Sequence, residues 1–181
     1  MDFDEFIKSQ QQSKEETASP EKAKEQVQFF NDRLKDLYKV VTNALKLYIN
    51  DGSVKISEHT QELKEDELFG CKEYRYNAQE TIIQIGKSAV NLTPIGINII
   101  GAGGRVDMDG PRGKATILLA RPGGPQIHTA IYSEGQTPLE PPAPTPKEEL
   151  VWQFMVRLPR LHYIEVNEET FKDTLMQVIN G

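Results

Sequence analysis

PEKAKEQVQFFNDRLKDLYKVVTNALKLYIN, residues Pro20 to Asn50, is the longest regular stretch of the chain, and its reading decides the fold. Val27, Phe30, Leu34, Leu37, Val41, Ala44 and Tyr48 follow one another at alternating steps of three and four. That spacing places them on one face of an α-helix. Tyr38, Leu45 and Ile49 widen the stripe on one flank, and Phe29 and Val40 on the other. A stripe this broad suits a helix lying on a sheet better than a coiled-coil seam. Ser19-Pro20-Glu21 supplies a hydroxyl cap, a proline where its missing N–H costs nothing, and an acid at the positive end of the helix dipole. Asn50-Asp51-Gly52 is the matching stop. A helix of about 30 residues and about 45 Å follows.

After this stretch the period changes to two. Val54 and Ile56 alternate with polar neighbours, Lys64 to Gly70 reads as a charged turn, and Tyr74 and Tyr76 alternate with Glu73 and Arg75. Short β-rich runs follow at Thr81–Ile85, Ala89–Leu92, Ile95–Ile100, Arg105–Met108 and Lys114–Leu119, separated by glycine and proline turns. Closely spaced strands without intervening helices predict an antiparallel meander. Leu150 to Leu158 is a strong strand with Trp152 and Phe154 on one face, which puts the tryptophan in the core under the long helix. Asn167-Glu168-Glu169 caps a closing helix carrying Phe171, Leu175, Val178 and Ile179, and a chain that stops at this helix is expected to be complete. The predicted fold class is therefore α+β, with a long N-terminal amphipathic helix packed on an antiparallel β meander and a short C-terminal helix.

Within that organisation, residues 1–19 are expected to form a short amphipathic or mobile arm, and 20–181 a single domain. Phe3, Phe6 and Ile7 are the arm's apolar residues and its candidate partner anchors. The prolines between about 122 and 147 predict an extended surface excursion.

Charge and composition bound the function. With 21 Lys and Arg against 27 Asp and Glu the net charge is −6, which argues against nucleic acid as the principal partner. Between Gly86 and Pro125, however, Lys87, Arg105, Arg112, Lys114 and Arg121 face only Asp107 and Asp109, so a small anion or an acidic surface remains a possible ligand there. One cysteine, Cys71, cannot form an internal bridge, and no apolar signal-like run follows Met1. No stretch approaches a membrane span. A cytoplasmic setting is expected.

No motif with chemical content survives inspection. Ile97 to Gly104 has the glycines of a dinucleotide-binding loop, but its third glycine would fall at Val106 and no helix follows. A reversal between strands is expected instead. Asp107-Met108-Asp109-Gly110 lacks the remaining ligands of a calcium loop. His59, His128 and His162 lie in different segments, without a second ligand at metal spacing, so no metal or cofactor is expected. Arginines beside aromatics have the composition of binding hot spots, which makes Arg157, Arg160 and His162, with Arg105, Asp107 and Arg112, the candidate binding residues. No catalytic residue is assigned.

The favoured reading is a non-enzymatic cytosolic binding or accessory protein of immunity, antitoxin, chaperone or assembly type, its partner another protein and self-association left open. A small-anion or metabolite-binding module is the alternative. A hydrolase or nucleic-acid-processing enzyme with a site assembled in space is the third.

Overall fold

The computed structural model describes residues 19–125, 145–157 and 159–181. The expected arm with Phe3, Phe6 and Ile7, and most of the proline-rich excursion, lie outside the described residues. Helix α1 (Pro20–Asn50) is followed by strands β1 (Val54–Leu68), β2 (Cys71–Ile85), β3 (Ser88–Gly96), β4 (Gly104–Asp109) and β5 (Lys114–Ala120). After a single 3-10 turn at Lys147–Glu149 come β6 (Val151–Val156), β7 (His162–Glu165) and helix α2 (Glu168–Asn180). The strands form one seven-stranded antiparallel sheet in sequence order, as the meander predicts.

Helix α1 begins where its sequence says it should. The Ser19 side chain accepts from the Lys22 amide at 3.4 Å, and Gly52 leaves the helix at φ 83. Its stripe packs on the sheet, with Ala23, Phe30, Leu34, Leu37, Val41 and Leu45 buried. At 31 residues it is about 46 Å long, close to the roughly 50 Å of the 15-residue strands β1 and β2. The hairpin therefore runs back along the whole helix. The Phe69 carbonyl at its tip accepts the Ser19 amide at 2.9 Å, which closes the loop.

The face toward the helices carries Val54, Ile83, Val90, Leu92, Val106, Met108, Ile117, Leu119, Trp152 and Phe154, all buried. Trp152 lies under α1 as expected. Its ring centroid is 6.2 Å from that of Phe30, and its indole N–H donates to the Arg33 carbonyl at 2.8 Å. A Cβ at Gly104 would overlap the Phe30 ring, so glycine is what lets the helix come this close.

Two sequence readings need correction. Lys64–Gly70 is not a charged turn: pairing continues from Val54↔Ile85 to Leu68↔Cys71, so only Phe69 and Gly70 turn. Lys64 and Asp66 lie instead on the exposed face of the hairpin's outer half, where Arg75 bridges Glu62 and Glu73, and Lys64 bridges Glu73 and Asp66, while Glu65 points to the opposite, buried face. Ile95–Ile100 is not a continuous strand either. β3 ends at Gly96, and the Ile97 amide turns aside to donate to the Glu65 carboxylate at 2.6 Å.

Because the sheet is a plain meander, alternate turns share an end. The β2–β3, β4–β5 and β6–β7 turns lie with the C-termini of α1 and α2 at what we term the basal end. The hairpin tip, the β3–β4 loop and the β5–β6 connection lie at the opposite, distal end, with the N-termini of both helices.

Candidate binding surface at the distal end

β2 pairs with β3 only over Thr81–Ile85, so the outer half of the β1–β2 hairpin has no ladder to β3. Side chains make the connection instead. Glu65, buried, accepts from the Tyr76 hydroxyl at 2.8 Å and from the Ile97 amide at 2.6 Å, while Asn98 Nδ2 donates to the Asp66 carbonyl at 3.0 Å. Gln61 Nε2 donates to the Pro94 carbonyl at 2.8 Å, and the Thr93 hydroxyl to Glu80 at 2.7 Å. Burial first, and Glu65 second, hold the Tyr76 phenol protonated far above its ordinary range. The hairpin and the β3–β4 loop are thus one clamped unit.

Each half of that unit displays an apolar side chain on a tight turn. Phe69 and Gly70, with φ 47 and 77, occupy the two central positions of a two-residue hairpin turn that favours Asn-Gly or Gly-Gly. A phenylalanine in this left-handed conformation costs about 1–2 kcal/mol, yet its side chain is 42% exposed. In the β3–β4 loop the Ala102 amide donates to the Ile99 carbonyl at 3.1 Å, closing a four-residue turn with Ile100 and Gly101 at its centre. Ile100 is 79% exposed there, and Ile95, just before the loop, 42%. Asp66 and Glu67 are the exposed acids beside them.

The residues singled out in the sequence divide into three groups. Arg105 and Asp107 lie on the sheet face away from the helices and bind each other in a two-pronged pair, at 2.7 and 2.8 Å, which raises the guanidinium pKa further. Arg112 sits in the β4–β5 turn and donates from Nη1 to the Asn180 carbonyl at 3.4 Å, at the C-terminus of α2. Arg157, Arg160 and His162 are exposed along the β6–β7 turn, where His162 Nδ1 is 2.8 Å from the Arg160 carbonyl. Arg112 shares the basal end with this last group, whereas Arg105 and Asp107 do not join it.

No family model, curated protein or solved structure matches this chain.

The surface must therefore be judged on its own chemistry. A cleft of about 150 Å³ between α1 and the β6–β7 strands is lined by Arg33, Leu37, Val40, Trp152 and Val166 among others. A second, of about 400 Å³, lies between α1 and the hairpin and is lined mainly by Gln28, Asn31, Asn77, Gln79 and Thr60. Neither is lined by histidine or cysteine. His59 is exposed on β1, His162 on β7, and Cys71 is half-buried at the hairpin tip, so these three stand on separate strands. Among the described residues no three His, Cys, Asp or Glu side chains group as metal ligands, and no helix is long and apolar enough to cross a membrane. What the distal end offers is contact area. It presents preformed apolar tips beside carboxylates, held by buried hydrogen bonds so that little ordering remains to be done on binding.

The sequence reading passed over Phe69, Ile95, Ile100 and Glu65. One signal was available for the first. Phe69-Gly70 lies midway between two alternating runs, and a glycine at the second turn position marks a two-residue hairpin.

Proposed function

We propose that this is a non-enzymatic cytosolic binding or accessory protein, acting through protein–protein contacts made by its distal end. The observation that carries the reading is the pair of apolar turn tips, Phe69 and Ile100, displayed on neighbouring turns that Glu65 and Asn98 tie together. Turn tips are ordinarily polar, and strain kept at an exposed position is typical of functional sites. Aromatic and aliphatic tips of this kind serve as anchors in a partner's pockets.

The test is affinity capture of the tagged full-length chain from host lysate, comparing the native protein with Ile100→Ser and Phe69→Asn. Both variants should keep the native circular dichroism spectrum and lose a stoichiometric protein that the native chain retains at high salt. Equal recovery by all three would refute the distal end as the contact surface.

A further inference from the structure

The Ser19 amide donates to the Phe69 carbonyl at 2.9 Å, so residues 1–18, which lie outside the described residues, join the domain beside the hairpin tip. Around that point Phe69, Ile95 and Ile100 stand 42, 42 and 79% exposed. The segment that joins there is divided in composition. Phe6 and Ile7 follow Phe3 by three and four positions, the spacing of one helix face, whereas Lys8 to Thr17 contains no apolar residue. One part has apolar area to bury, and the other can only connect.

We infer that Phe3, Phe6 and Ile7 cover the distal end of their own molecule, with residues 8–18 as the tether. The inference rests on the distal end being a binding surface and adds its regulation, because the arm is then an internal competitor that a partner must displace. The tether is long enough. From Ile7 to Ser19 the chain spans about 18 Å if helical and up to about 40 Å if extended. Ile100 is close to the tip, since Asn98 of its loop is bonded to Asp66 on the strand that leads to Phe69. Attachment also favours this occupant over any free one. A short linker holds its ends at an effective concentration in the millimolar range, so a contact too weak to form between separate molecules is filled within one. The side chains match as well, aromatic and aliphatic on both sides, and the receiving surface is already held in place by Glu65 and Asn98. A contact of so few side chains yields to a partner. While it lasts, it lowers the partner's apparent affinity in proportion to the fraction of molecules whose tips are uncovered.

Isoleucine-methyl NMR of the full-length chain tests this, comparing the native protein with a variant carrying Phe3→Ser, Phe6→Ser and Ile7→Ser. The native protein should show nuclear Overhauser contacts from the Ile95 or Ile100 methyls to the Phe3 or Phe6 rings, unchanged on dilution. The triple variant should lose them and shift both methyl resonances, because the ring currents are gone. Phe69→Asn should in turn shift the Ile7 methyl. Identical Ile95 and Ile100 resonances in the native and triple-variant chains would overturn the proposal, as would contacts that fade on dilution, which belong to a second copy. Capture separates this failure from failure of the underlying reading. The triple variant should retain several-fold more of the captured protein than the native chain does. A protein held equally by these two and lost by Ile100→Ser refutes the arm and leaves the binding surface standing. Methyl contacts in a chain that captures nothing, with or without its arm, make the arm mere packing and refute the binding surface together with its regulation.

Discussion

The basal and distal ends of the sheet are built from the same kind of connection, a short link between antiparallel strands, yet they use it differently. At the basal end the β4–β5 turn is pressed against α2: the Arg112 amide donates to the Val178 carbonyl at 3.0 Å, and a Cβ at Gly110 would overlap that same carbonyl oxygen. Tight turns there serve packing. At the distal end one carboxylate, that of Glu65, is buried, while the apolar Phe69 and Ile100 face out. The difference teaches that side-chain hydrogen bonds to Glu65 and from Asn98 hold the distal end together, and that Phe69 and Ile100 are not needed to pack it.

The largest effect should come from breaking the packed end. Gly110→Ala forces a methyl against the α2 backbone, which has no side-chain freedom to yield, and should cost about 1–3 kcal/mol or more in a urea titration. Next, Glu65→Leu leaves the Tyr76 hydroxyl and the Ile97 amide without their acceptor, for a loss of about 1–3 kcal/mol. Its signature is spatial. Hydrogen exchange should quicken over 60–78 and 97–103 while β5 and β6 stay protected.

A smaller effect should follow from acid. Lys64 first, and Arg75 second, hold the Glu73 carboxyl below its usual range. A depressed carboxylate adds stability above its unfolded pKa and loses it as pH falls through the lower, folded value. Exchange protection of the outer hairpin should therefore decline below the ordinary glutamate range at low salt. The decline should shrink when salt screens the exposed ladder. The smallest effect on stability belongs to Ile100→Ser, within about 0.5 kcal/mol of the native protein, because so little of that side chain is buried.

Much of the fold was legible because its signals are periodic. The three-and-four spacing of α1, the Ser19 cap and the alternation around Trp152 each survive in the structure. The long hairpin was not legible as one element, and the reason is physical. Near its base β2 buries Thr81 and Ile83, but in its outer half it buries Tyr76 and Ala78, so the buried side switches between odd and even positions along one continuous ladder. A strand that exchanges its buried face cancels its own alternation. Phe69 and Ile100 escaped because a single apolar residue on a turn has no period at all. The basic character of the segment after Gly86 was visible, whereas its division between a pair on the sheet face and a row of basal turns depends on topology.

The central claim, that the distal tips are kept for contact and not for packing, is tested most directly by measuring stability and binding together on Phe69→Asn. Asparagine is at ease in the left-handed turn, so relief of strain should roughly offset the lost burial, and unfolding free energy should stay within about 1 kcal/mol of native. Partner capture should be lost. A destabilisation well beyond about 2 kcal/mol would make Phe69 a core residue that happens to lie at a turn. Undiminished binding at native stability would contradict the account outright.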